Sequence, residues 1–274
     1  MLLKDCGSKD IEGAWASLKR ENPLVFHVTN AVASALSANV CLAIGASPLM
    51  SQYPGETEEL IGIARGFLVN LGTPSAAAME TVERGMEAAR SRAPGTAPFT
   101  LLDPVGYGAS RFRVESTDAL LNRYSFSIVK GNAGEISLLA KVGGAIKGVD
   151  AASTGDLRKG VLALARERRC VACATGEIDF LSDGESVALV RGGSALLPAL
   201  SGSGCAVGTI VLSVTAACGD AVLGTLCGLA AMGIASERAE KKCAGSGTFP
   251  AALLDELYAL RPEDFQDSRT RWSL

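Results

Sequence analysis

Five short apolar runs, PLVFHV at 23–28, SPLM at 47–50, FLVNLG at 67–72, FTLLD at 99–103 and FSIVKG at 126–131, are separated by longer stretches of helical character. NAVASALSANVCLAIG, TEELIGIARG and the amphipathic SAAAMETVERGMEAARSR are three of those stretches. An apolar run without alternation fits a strand covered on both faces, and parallel neighbours need a crossover between them. The βαβα pattern therefore predicts a three-layer α/β/α fold around a mostly parallel central sheet. CVACAT at 170–175 extends the series. Beyond it, IDFLSDGESVALVRGGSALLPAL places Asp183-Gly184 and Gly192-Gly193 between strand-like runs, which predicts an antiparallel edge beginning near residue 178. Helix returns at Cys205, followed by a second apolar helix over 221–236 and an amphipathic one over FPAALLDELYAL. No repeat or linker interrupts the pattern, so residues 1–274 read as one domain.

Composition narrows the partners. At 48% hydrophobic over 274 residues the chain can bury a large core, and a formal net charge of -3 gives no reason to expect nucleic acid or an anionic membrane. Small-molecule chemistry is the expectation. Charges at Lys4, Asp5, Lys9, Asp10, Glu12, Lys19, Arg20 and Glu21 break up the first 25 residues, which reads as a chain without a secretory signal and places it in the cytoplasm. From Cys205 to Ser236 the only charge is Asp220, but Gly219-Asp220 divides the stretch into pieces shorter than a membrane span. Two buried core helices are expected there. Eight cysteines in such a chain are not read as a disulfide framework, and the C-x-x-C of Cys170 and Cys173 would point to opposite faces of a strand.

In a parallel α/β sheet, ligands bind beyond the carboxyl ends of the strands. The loops there are polar and glycine-rich: Thr29-Asn30, Met50-Ser51-Gln52, Asn70 with Gly72-Thr73, Asp103 to Gly108, Lys130 to Glu135, Thr175-Gly176, and Gly202 to Cys205. Several chemistries drop out. Gly-Lys never occurs, so there is no Walker-type phosphate loop, and the single histidine, His27, lies in an apolar run where a packing role is expected. Neither a Ser-His-Asp triad nor a multi-histidine metal site is expected around it. GSGCAVG lacks the G-x-G-x-x-G spacing of a dinucleotide fingerprint.

Phosphate fits better. A glycine-rich helix start offers backbone N–H groups and the positive end of the helix dipole to an anion. Asp103 and Glu135 are carboxylates in two of the loops, a plausible magnesium pair beside substrate phosphates, and Lys130 adds a cation. Together these parts suit phosphoryl transfer. Each also has a structural reading: Asp103 as a turn residue before Pro104, Glu135 in a helix first turn, and Lys130 at a solvated strand end.

The ordered series PLV-x-x-x-TN, GASPLM, LLDPVGYGAS with Phe112-Arg113, KGNAGEI, ATGEIDF-x-x-DG, SGSGC and FPAALLDELY resembles the hydroxyethylthiazole kinases of the thiamin salvage route, in the ribokinase-like superfamily. The resemblance runs from about residue 22 to 258. It implies transfer of the ATP γ-phosphate, with Mg2+, to the primary alcohol of 4-methyl-5-(2-hydroxyethyl)thiazole. By the same resemblance Asn30, Met50 and Gly202 lie at the thiazole, Lys130, Thr175 and Gly204 at ATP, and Asp103 and Glu135 at the metal. Cys205 stands where sugar kinases of the superfamily carry a catalytic aspartate; a helix start is expected to lower its thiol pKa, so that it assists as a weak base or simply orients the hydroxyl. A homotrimer with sites between subunits is also implied. Three departures stand out: Lys130 replaces a customary arginine, Ser201 and Ser203 replace threonines, and Gly134 removes a hydroxyl that could cap the next helix. The competing readings are a ribokinase-like kinase or NAD(P)H-hydrate dehydratase with another substrate, for which Asp is expected at position 205, and a non-catalytic thiazole or nucleotide sensor.

Overall fold

The computed structural model describes residues 1–142 and 154–274. In chain order its regular elements begin with α1 (Ser8–Glu21), β1 (Leu24–Val28), α2 (Ser34–Ala43), β2 (Ser47–Met50), α3 (Thr57–Ile63), β3 (Gly66–Asn70) and α4 (Ala76–Arg90). They continue with β4 (Phe99–Asp103), α5 (Arg111–Arg123), β5 (Ile128–Asn132), α6 (Ala133–Leu139), α7 (Thr154–Arg168) and β6 (Val171–Thr175). The remainder is β7 (Ile178–Ser182), β8 (Val187–Arg191), α8 (Ser203–Cys218), α9 (Ala221–Glu240), α10 (Phe249–Ala259) and β9 (Trp272–Ser273).

The sheet runs β2-β1-β3-β4-β5-β6-β7-β8-β9. Pairs from β2 through β6 are parallel, and those joining β6, β7, β8 and β9 are antiparallel. This is the expected three-layer architecture, with the antiparallel edge starting at the expected place. Alternation along each strand divides the core in two. Phe26, Phe67, Leu102, Val129 and Ala172 pack under α3 to α7, whereas Val25, Leu68, Leu101, Ile128 and Cys173 pack under α1, α2, α8, α9 and α10. Cys170 and Cys173 fall into different halves, as strand geometry requires.

Helices α8 and α9 are buried almost throughout because the sheet lies on one side and α1, α2 and α10 on the other. They cross closely: a Cβ on Gly228 would stand 2.8 Å from Val211 Cα. Among the described residues no helix is long and apolar enough to cross a membrane.

Three expectations are corrected. First, α1 was not anticipated, yet Ile11, Trp15 and Leu18 give it an apolar face against α8 and α9, and Trp15 packs on Phe265 at 5.2 Å between ring centres. Second, SALLPAL is not a strand: Leu197–Ala199 forms a 3-10 turn, since Pro198 lacks the N–H a ladder needs. The outer partner of β8 comes instead from the far end of the chain, as β9. Third, α2 starts at Ser34 rather than Asn30, because Asn30 Oδ1 takes the Ala33 N–H at 2.9 Å and holds residues 31–33 as a turn.

Candidate active site

Period-two alternation puts Asn70, Asp103 and Lys130 on the α8 side of three adjacent strands, at their carboxyl ends. Asn70 and Asp103 are direct register partners. The result is a polar stripe at the top of an otherwise apolar face, beneath the first turn of α8. Lys130 Nζ donates to Asp103 Oδ2 at 3.0 Å and to the Gly204 carbonyl at 2.8 Å. Asn70 Nδ2 donates to the same Asp103 oxygen at 3.2 Å. Across the stripe, Asn30 Nδ2 donates to Asn70 Oδ1 at 2.8 Å and to Cys205 Sγ at 3.3 Å. Strand ends, the Thr29-Asn30 loop and the start of α8 are thus tied into one network.

The first turn of α8 depends on its N-cap. Gly202 has φ 84, and a Cβ there would come within 2.9 Å of Ala33 Cβ. Glycine alone combines that left-handed conformation with that closeness. The Ala206 N–H bonds the Gly202 carbonyl at 2.9 Å, while no side chain caps the helix. The Ser203 N–H donates to the Leu200 carbonyl at 3.1 Å, so among the described residues the N–H groups of Gly204 and Cys205 are the ones left to meet an anion.

Electrostatics follow from burial. Burial pushes the Asp103 carboxyl up to about 6, with Lys130 pulling it back and Glu135 adding to the rise. The Lys130 ammonium is opposed by burial, yet Asp103 and then Cys205 carry its pKa above the ordinary value. At neutral pH both members are charged. Burial, with Asp103 next, raises the Cys205 thiol, and the opposing pull of Lys130, Asn30 and Asn70 does not cancel it. The direction is opposite to the lowering expected from a helix start, and it favours a neutral thiol. His27 is buried, bonded through Nδ1 to the Val25 carbonyl at 2.9 Å and through Nε2 to Thr209 Oγ1 at 3.4 Å, and burial drives its pKa down to about 4. It is a neutral packing residue.

Glu135 carries a second task. Its Oε2 accepts the Asn132 N–H at 2.7 Å while Asn132 Oδ1 accepts the Glu135 N–H at 2.9 Å, a capping box opening α6. Its Oε1 accepts the Gly106 N–H at 2.7 Å and anchors the loop after β4. Asn132 caps α6, which corrects the concern over Gly134: the missing hydroxyl leaves no cap unfilled. Lys130 is likewise no solvated strand end, being 2% exposed. Thr175, at the end of β6, bonds the Gly131 carbonyl at 3.2 Å, and Met50 is half-buried at the end of edge strand β2, apart from the stripe.

Two residues that sequence reasoning had not given a role prove central. Asn70 joins Asn30 to Asp103, which its position at the end of FLVN could have suggested. Arg113 donates to the Leu71 and Val105 carbonyls, both at 2.6 Å, and to the Gly72 carbonyl at 2.7 Å. One guanidinium thereby clamps the loops after β3 and β4. Phe112-Arg113 is among the motifs of the resemblance, but nothing local tells what Arg113 does, because two of its three partners lie 41 and 42 positions away.

Among the described residues no three His, Cys, Asp or Glu side chains cluster as a metal site. Asp103 and Glu135 remain a hard oxygen pair, and among the described residues the hydrogen bonds to the Asp103 carboxylate, from Asn70 and Lys130, both fall on Oδ2 and none on Oδ1. Such a sparse donor set fits magnesium, which keeps several waters and takes phosphate oxygens, better than a metal needing a full protein cage.

A sheet that turns antiparallel at one edge, with a buried charge pair under a glycine-capped helix start, defines a ribokinase-like small-molecule kinase. The same fold is seen in a ribokinase-like superfamily protein from Enterococcus faecalis, with a TM-score of 0.61 at 9% identity over 92% of this chain and 96% of that one. The hydroxyethylthiazole kinase family model matches residues 15–263. A hydroxyethylthiazole kinase from Caldivirga maquilingensis is 39% identical over 97% of this chain and 96% of its own. The solved hydroxyethylthiazole kinase from Pyrococcus horikoshii superposes with a TM-score of 0.82 at 32% identity, covering 92% of this chain and 93% of that one. The chain belongs to the hydroxyethylthiazole kinase family.

Proposed function

We propose that this chain phosphorylates the primary alcohol of 4-methyl-5-(2-hydroxyethyl)thiazole from ATP in thiamin salvage, with reaction at the stripe beneath α8. The observation that carries the location is the Lys130 bridge between Asp103 and the Gly204 carbonyl, which fixes a carboxylate and a cation under free helix N–H groups. Phosphoryl transfer needs charge held in place more than it needs covalent help from the protein.

The alcohol oxygen bonds to the γ-phosphorus as the bond to the β–γ bridging oxygen breaks, and ADP leaves. The N–H groups of Gly204 and Cys205 receive equatorial oxygens, the Ser203 N–H being held by the Leu200 carbonyl, and the Lys130 ammonium adds positive charge. In a loose transition state the hydroxyl proton departs late, to a phosphoryl oxygen, so a neutral Cys205 suffices to orient the alcohol. Asp103 and Glu135 would hold Mg2+, which when bound neutralises charge on the β- and γ-phosphates. Asn30, Met50 and Gly202 form the thiazole side, and Lys130, Thr175 and Gly204 the ATP side. The resemblance to the family is what points to a homotrimer in which a neighbour closes the site. The site of action is the cytoplasm, where thiamin salvage draws on ATP.

Incubation with ATP and the thiazole alcohol, with and without magnesium, tests the reading. Phosphorylated thiazole should form only with the metal. Turnover of another alcohol in its place, or none of any in a panel, would remove it. Sedimentation of the purified chain tests the trimer.

A further inference from the structure

We infer that Asn70 is a positioning residue that couples the alcohol side of the site to the metal side; the inference rests on the proposed function. Its amide uses both ends. Oδ1 accepts the Asn30 amide at 2.8 Å and the Gly72 N–H at 3.0 Å, and Nδ2 donates to Asp103 Oδ2 at 3.2 Å. Its amide hydrogen bonds run to Asn30, Gly72 and Asp103, so it acts through these neighbours. On one side it fixes Asn30, whose second amide hydrogen goes to Cys205 Sγ and whose Oδ1 holds the turn into α2. On the other, with Lys130, it loads both protein hydrogen bonds onto Asp103 Oδ2 and leaves Oδ1 as the oxygen turned to a ligand.

No simpler residue does this. An apolar side chain would strand the Asn30 amide and the Gly72 N–H, and an aspartate would keep those acceptors while replacing the donor to Asp103 with a repelling oxygen. The two replacements therefore separate the two arms of the amide.

The test uses the full chain with Asn70→Leu and Asn70→Asp, each quantity normalised to folded protein by thermal denaturation. Alcohol affinity, measured by calorimetry without metal or nucleotide, should fall more than tenfold in Asn70→Leu and stay within threefold in Asn70→Asp. With magnesium-ATP, kcat should fall about 100-fold in Asn70→Asp while KM for the alcohol holds, whereas Asn70→Leu should lose both. Manganese affinity in the presence of a non-hydrolysable ATP analogue, followed by electron paramagnetic resonance, should weaken at least tenfold in Asn70→Leu. Unchanged manganese affinity in that variant, or a kcat for Asn70→Asp within threefold of the parent, overturns the inference. Should the parent leave the thiazole alcohol unphosphorylated, the proposed function falls, and manganese affinity still decides the role of Asn70.

Discussion

Lys130 Nζ and Asp103 Oδ2 stand 3.0 Å apart with each side chain 3% exposed. Neither charge has another group of opposite sign at hydrogen-bond distance among the described residues, so each is the other's compensation. Lys130→Met would leave Asp103 a buried carboxyl without its counter-charge, forced to take up a proton or to stay unpaired. We expect a loss of about 3–5 kcal/mol in urea denaturation, the usual cost of breaking such a pair from one side. The double change Lys130→Met with Asp103→Leu should recover much of that stability while remaining inactive. A single variant as stable as the parent would show that the pair is not mutually dependent.

Gly202 governs the helix start. Gly202→Ala meets both a positive φ and Ala33 at 2.9 Å, so the N-cap must shift. The strain should cost about 1–2 kcal/mol. Because the α8 N–H groups move with the cap, kcat should fall more steeply than stability alone explains. Kinetics and calorimetry on the same preparation check this, and an unchanged kcat would separate the α8 start from the chemistry.

Arg113 holds three carbonyls in two loops with a planar fork that lysine cannot copy. Arg113→Lys keeps the charge but should lower kcat/KM at least tenfold. The loops after β3 and β4 should also exchange amide hydrogens faster. Full activity in Arg113→Lys would assign the role to charge alone.

His27 is the only histidine, so its ring resonances need no assignment. Burial depresses its pKa from 6.5 to about 4, hence the unfolded chain binds its proton first. The stability this represents is fully present above pH 6.5 and is lost as pH falls through about 4, an amount on the order of 3 kcal/mol. NMR titration should show no ring protonation in the folded protein above pH 5. Protonation near 6.5 would mean that the strand opens to water.

Cys205 should behave as a buried neutral thiol. Alkylation by iodoacetamide at pH 7.5 should be slower than that of a free thiol and should accelerate above pH 9, since burial raises the pKa. Cys205→Ser should keep most of its kcat. Fast labelling at neutral pH would restore the thiolate base.

By itself the sequence determined the layers. Apolar runs spaced by helices dictate a parallel sheet, because such strands can be buried on both faces only if crossovers cover them. The polar loops at the strand ends, together with Gly202 to Cys205, likewise marked which edge would hold the site. Motif order along the chain was enough to indicate the family. Tertiary structure decided what each polar group does. Glu135 reads as a metal carboxylate in sequence but is also the capping partner of Asn132 and the anchor of Gly106. Lys130 reads as a cation for ATP or as a solvated strand end; it is in fact buried against Asp103, because strand alternation and the approach of α8 place it there. Cys205 sits at a helix start, yet burial and then Asp103 push its thiol pKa up rather than down. Asn70 and Arg113 gain their roles chiefly from partners 33 to 42 residues away, contacts that no local pattern encodes and that form only when the strands lie side by side.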